Sequence, residues 1–134
     1  MATQSVLIVD DEPDIRELLD ITLSRMGLTT HSAATLAHAR EMIERVKPDL
    51  CLTEMRLPDG NGNSLVEYIQ QTFPHIPVAM ISAHGSVEAA ISALKAGAFD
   101  FISKPIELEH LRKLVSTALK LEGDPSRTQN AVDQ

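Results

Sequence analysis

Tryptophan is absent from this chain, and its aromatics amount to one tyrosine and three phenylalanines. A core must therefore be filled by Leu, Ile, Val, Ala and Met. There is one cysteine, Cys51, inside an apolar run. No disulfide framework is possible, which fits a reducing cytoplasm. Basic residues are outnumbered, with 12 Lys and Arg against 19 Asp and Glu, for a net charge of -7. That balance disfavours a nucleic-acid surface on this domain, and an acidic partner over most of it. No apolar run approaches the ~20 residues of a membrane span, and the start, MATQSVLIVDDEP, has no basic leader. Gly60 and Gly62 mark a turn, but no G-x-G-x-x-G or G-K-[ST] loop accompanies them, so a nucleotide fold is unsupported. The five histidines show no metal-ligand spacing, and four of them are expected at the surface. The expectation is a soluble, cytoplasmic domain with no membrane partner. Its 134 residues suffice for one domain and are too few for two.

What the chain does have is alternation. Val6 to Val9 is a continuous β-branched and apolar run, as expected of a strand buried on both faces. Pro13 suits the first turn of a helix, whose stripe is Ile15, Leu18, Leu19, Leu23 and Met26, with Gly27 at its end. LTTHSA reads as a weaker, more polar strand near an edge. Thr35 is placed to cap a second helix carrying Leu36, Ala39, Met42, Ile43 and Val46. DLCLTE is the third strand, and Ser64 to Glu67 reads as a capping box opening a third helix with Leu65, Val66, Ile69 and Phe73. PVAMIS is a fourth strand. Ser86 can cap a fourth helix carrying Val87, Ala90, Ile91 and Leu94, closed by Gly97. FDFIS is a fifth strand, and a fifth helix follows Lys104-Pro105 with Leu108, Leu111, Leu114, Val115, Ala118 and Leu119.

Five β-α units in ~120 residues predict an α/β fold with a parallel sheet and helices on both faces. The flavodoxin-like (βα)5 arrangement, strand order 2-1-3-4-5, is the best match, with a ligand crevice at the carboxyl ends of strands 1 and 3. Residues 1–121 form the domain. Residues 122–134, with few apolar side chains, read as a linker or tail toward a further domain.

Polar residues gather at that crevice. Asp10 and Asp11 fall at the end of strand 1, Glu54 at the end of strand 3, Ser82 at the end of strand 4 and Lys104 at the end of strand 5. Each alone reads equally well as a cap or a solvated loop residue. Together, three carboxylates, a hydroxyl and an ammonium describe a site for a phosphoryl group beside Mg²⁺, which takes hard oxygen ligands.

In order and spacing, LIVDDEPDIRELL, DLCLTEMRLPDGNG, MISAHGS and ALKAGAFDFISKPIELEHL resemble the receiver domain of bacterial two-component response regulators. The resemblance covers about residues 5–121 and points to the branch whose receivers precede a σ54-dependent AAA+ ATPase and a helix-turn-helix DNA-binding domain. Within it, the chain is most similar to regulators of type IV pilus (fimbrial) transcription. The resemblance implies that Asp10 and Asp11 place Mg²⁺, that Arg56 lends its backbone carbonyl to the metal, and that Ser82 is the switch hydroxyl. It implies that Lys104 pairs with the phosphoryl group, that the Lys104-Pro105 peptide is cis, that Phe101 is the rotameric switch aromatic and that His84 gates access. It implies a sensor histidine kinase as donor and a homodimer through helix 4, strand 5 and helix 5.

One position departs. The family's phosphoacceptor is an aspartate, and position 54 is Glu. The extra methylene moves the carboxylate by ~1.5 Å and adds a torsion. Misplacement on that scale costs ~100-fold or more in an in-line attack. Little or no phosphotransfer is expected, and no enzyme activity of the kind receivers show toward their own phosphoryl group. Three readings of Glu54 stay open: an introduced activating substitution, which is favoured; a natural receiver that signals without phosphate; or a phosphorylation-dead form in which Lys104 pairs with Glu54 and Ser82 stays outward. A reading of another class, a small flavodoxin-like or carboxylate-based phosphoryl-transfer enzyme, would need a substrate-capping insertion, and none is seen.

Overall fold

A computed structural model describes residues 3–121. The expected tail, 122–134, lies outside the described residues. Strands β1 (Ser5–Val9), β2 (Thr29–Ala33), β3 (Leu50–Glu54), β6 (Val78–Ser82) and β7 (Asp100–Ser103) form one parallel sheet in the order β2-β1-β3-β6-β7. A two-stranded ribbon, β4 (Arg56–Leu57) with β5 (Gly60–Asn61), interrupts the count. With the ribbon set aside, the order is the 2-1-3-4-5 expected. Helices α1 (Pro13–Arg25), α2 (Leu36–Val46), α3 (Gly62–Thr72), α4 (Val87–Ala96) and α5 (Leu108–Leu119) connect the strands.

The period of two along each strand divides the core. Leu7, Val9, Cys51, Val78 and Met80 point into the cluster beneath α2, α3 and α4. Val6, Ile8, Leu50, Leu52, Ala79 and Ile81 point into the cluster beneath α1 and α5. Strands β1, β3 and β6 are therefore apolar at successive positions because both faces are covered. β2 lies at the edge, where Thr29 and Ser32 are exposed and Thr30 and His31 half-buried. Cys51 is a core thiol, pushed up to about 12 by complete burial. His38, His75, His84 and His110 are exposed, and His31 is half-buried. Among the described residues, no helix is long and apolar enough to cross a membrane.

Pro13 opens α1, Thr35 caps α2 by accepting from the His38 N–H, and Ser86 caps α4 by accepting from the Ala89 N–H. The capping box at Ser64–Glu67 is a correction. Helix α3 begins at Gly62, and Asn61 caps it through the Asn63 N–H. The Ser64 hydroxyl instead donates back to the Asn61 carbonyl. The start is set by a close approach of backbones. The Gly62 N–H donates to the Met55 carbonyl at 2.6 Å, and a Cβ on Gly62 would lie 2.2 Å from the Glu54 carbonyl oxygen. Glycine is required there, so the helix starts two residues before Ser64.

Candidate functional site

Parallel strands end together, so the residues that close them meet at one edge of the sheet. The Lys104 ammonium follows β7 and reaches inward. Its Nζ lies 2.8 Å from Asp10 Oδ2, 2.7 Å from Glu12 Oε2 and 2.8 Å from Glu54 Oε1. The Lys104, Asp10 and Glu54 side chains are 8%, 2% and 6% exposed, whereas Glu12 is 57% exposed. The first three form a buried core, and Glu12 closes it from the solvent side.

Glu54 has a second set of partners. Its Oε2 accepts from the Met55 N–H at 2.6 Å and the Arg56 N–H at 3.3 Å. The longer side chain thus folds back over the turn that leaves β3. Ser82 is fully buried, and its side chain lies close enough to the Glu54 carboxylate to help hold it below its ordinary value. Ser82 Oγ accepts from the His84 N–H at 3.1 Å, and the Ser82 carbonyl accepts from the Lys104 N–H at 2.9 Å.

The two buried carboxylates that share Lys104 respond in opposite directions. Asp10 is held above its ordinary value, chiefly by burial, which outweighs Lys104 and the Glu12 N–H. Burial is also the largest single influence on Glu54 and pushes its carboxyl up. Lys104, Ser82 and the Met55 N–H together outweigh burial, and the net direction is down. Burial likewise works against the charge on Lys104, but its three carboxylate partners prevail and raise its pKa.

The expected residues divide into those that converge and those that do not. Asp10, Glu54, Ser82 and Lys104 come together. Asp11 is exposed and stands outside the cluster of three carboxylates, which is Asp10, Glu12 and Glu54, with ligand oxygens within 4.8 Å of one another. Arg56 has an exposed side chain and contributes its N–H to Glu54. His84 is exposed, and its N–H donates to Ser82 Oγ. Phe101 is half-buried against the cluster beneath α2, α3 and α4, and the Lys104-Pro105 peptide is cis. Glu12 was not read from the sequence as a site residue. The only signal for it was its place in an acidic run beside Asp10.

The donor set fits a hard divalent cation. Three carboxylates against one ammonium leave two negative charges in surplus, and all the donors are oxygens.

Residues 6–116 match the response regulator receiver domain family. The chain is 60% identical over 133 residues to the response regulator protein PilR of Pseudomonas aeruginosa, covering 99% of this chain and 30% of that protein. It therefore spans less than a third of that relative's length. Among solved structures, the receiver domain of NtrX from Brucella abortus aligns with a TM-score of 0.81 at 37% identity, covering 87% of this chain and 99% of that one. The beryllofluoride-activated NtrC4 receiver domain dimer aligns with a TM-score of 0.82 at 32% identity, covering 87% of this chain and 96% of that one.

Proposed function

The chain belongs to the response regulator receiver domain family, and from that premise we propose that it is the signal-input domain of a longer NtrC-like, σ54-dependent transcription regulator whose site is blocked to phosphate and biased toward its activated state. The observation that carries this reading is the 2.8 Å ion pair between Glu54 and Lys104, formed with the buried Ser82 side chain beside the same carboxylate.

In an ordinary receiver reaction, a carboxylate oxygen attacks the phosphorus of a phosphohistidine. A P–O bond forms, the P–N bond breaks, and its electron pair returns to the imidazole. Attack needs a free lone pair held in line. Here one oxygen of Glu54 is taken by two backbone N–H groups, and the other faces the Lys104 ammonium. The lowered basicity of this carboxylate weakens it further as a nucleophile. Asp10 and Glu54 are the residues that would hold Mg²⁺, with Glu12 at the open side and Asp11 and the Arg56 carbonyl as further donors. The ion would supply positive charge to the phosphoryl oxygens.

The same contacts support mimicry. A phosphoryl group on an acceptor aspartate would reach toward the lysine and the switch hydroxyl, and Glu54 pairs with Lys104 and lies beside Ser82. It does so with one charge, against about two for a phosphoryl group. Lys104 pairing alone is equally compatible with a locked inactive form, but a fully buried Ser82 side chain beside Glu54 weighs against an outward switch hydroxyl.

In this reading a sensor histidine kinase is the family's donor. Output passes to downstream ATPase and DNA-binding segments, and the domain pairs with a second copy through α4, β7 and α5. Val87, Ile91, Leu94 and Phe99 supply exposed apolar surface for that pairing.

Two measurements test it. With acetyl phosphate and Mg²⁺, the Glu54→Asp variant should accumulate acyl phosphate at least ~100-fold faster than this chain. A stable acyl phosphate on the unaltered chain overturns the block. In sedimentation, this chain should show more dimer than the unphosphorylated Glu54→Asp variant, and equal dimer fractions overturn the mimicry.

A further inference from the structure

Asp10 is the most deeply buried carboxylate of the site, and all of its polar atoms but one are held by elements that belong to the sheet end or the site itself. Its N–H donates to the Ala33 carbonyl of β2, its Oδ1 accepts from the Glu12 N–H at 2.9 Å, and its Oδ2 meets Lys104. The exception is its carbonyl. β1 pairs with β2 and β3 only as far as Val9, so the Asp10 carbonyl lies past the end of the ladder. A buried carbonyl in that position needs a donor. Arg16, one turn into α1, provides it: Nη1 donates to Asp10 O at 2.7 Å.

The placement is specific. Arg16 lines a polar cleft between α1 and β2 together with Glu17 and Asp20. Either carboxylate is a stronger electrostatic partner for a guanidinium than a neutral carbonyl is. Yet among the described residues Arg16 forms no ion pair. Asp20 is occupied by the Ser24 and Thr30 hydroxyls, and the guanidinium turns to the Asp10 carbonyl.

We propose that Arg16 is a positioning residue of the site: by holding the Asp10 carbonyl it fixes the peptide plane after β1, and with it the direction in which the Asp10 carboxylate presents its two oxygens to Lys104 and to a bound cation. The part concerning Lys104 stands on this geometry alone. The part concerning a cation rests on the Mg²⁺ reading above.

The Glu12 amide reports the carboxylate directly, because Asp10 Oδ1 is its acceptor. In Arg16→Met, which keeps the stem and removes the donors, Glu12 amide exchange should accelerate about tenfold, the scale of one lost charge-assisted hydrogen bond. The Leu52 amide, at the centre of β3, should be unchanged, and Arg16→Lys should restore part of the protection. Equal acceleration at Glu12 and Leu52 would show a purely structural role and overturn the proposal, as would an unchanged Glu12. If Arg16→Met does not fold, Arg16→Lys is read alone, and a Glu12 exchange rate identical to that of the parent overturns the proposal. A Mg²⁺ titration of the same proteins separates the two readings. Loss of Glu12 protection with no Mg²⁺ binding by the parent chain removes the metal reading and leaves the positioning of Asp10 standing.

Discussion

Helices α2 and α4 cover the same face of the sheet and are fastened in opposite ways. α2 buries Leu36, Ala39, Met42 and Ile43. Its amino end is held twice: Thr35 accepts from the His38 N–H, and Asp59, from the β4–β5 ribbon, accepts from the Leu36 and Ala37 N–H groups at 2.8 and 3.1 Å. α4 buries only Ala93 and leaves Val87, Ile91 and Leu94 at 75%, 46% and 49% exposure. It is tied down by its own Ser86 cap and by polar side chains of α3, Asn63 to Ser92 at 2.6 Å and Gln70 to the Gly97 carbonyl at 3.1 Å. The difference shows where the domain can move at little cost. α4 follows directly on Ser82 and His84, so the helix next to the site is also the one with least apolar surface to lose by shifting.

The largest test of that contrast is truncation of the matching isoleucines. Ile43→Ala should cost ~2–5 kcal/mol in urea unfolding, as for a buried aliphatic. Ile91→Ala should cost no more than ~0.5 kcal/mol. Similar losses for the two would mean that α4 is docked as firmly as α2. Cap removal gives a smaller separation. Ser86→Ala removes the side-chain cap of α4 and should cost about 1 kcal/mol, whereas Thr35→Ala should cost about half of that, because Asp59 continues to hold the Leu36 and Ala37 N–H groups. The same unfolding series reads both, and a larger loss for Thr35→Ala would reverse the ranking.

The smallest test uses pH. The Leu36 and Ala37 N–H groups hold the Asp59 carboxyl below its ordinary value of 3.8. A depressed carboxylate stabilises the fold fully above its unfolded value, and that contribution is lost as pH falls through the lower folded value. In an acid titration the Leu36 and Ala37 amide resonances should therefore shift together along one curve centred below 3.8. The Ala89 amide, capped by a serine that does not titrate, should not follow that curve. A shared curve for all three would mean that the titration reports global unfolding.

Much of the fold was legible in the sequence. The apolar run at Val6–Val9 predicted a doubly covered strand, and Thr35, Ser86 and Pro13 predicted three helix starts, because these signals are local. The β4–β5 ribbon was not legible, since two-residue strands carry no period. The S-x-x-E pattern at Ser64 misled for a related reason: the helix start answers to the approach of Gly62 to the Glu54 carbonyl, a contact that no spacing rule contains. At the site, the strand periods put Asp10, Glu54, Ser82 and Lys104 at strand ends, and the structure brings those four together. The choice between Asp11 and Glu12 had no counterpart in the pattern, because both sit in a loop where side-chain direction follows distant partners.

The sequence by itself determined the alternation of strands and helices, the order in which they occur and the edge at which the polar residues emerge, because periods of two and 3.6 residues are properties of short stretches of chain. The tertiary structure alone decided that Lys104 gathers Asp10, Glu12 and Glu54 rather than Asp11, that Asp59 caps a helix 22 and 23 residues away and that Arg16 holds the Asp10 carbonyl. Each of these joins groups from different elements, and a buried charge or carbonyl takes whichever partner the packed elements bring within reach.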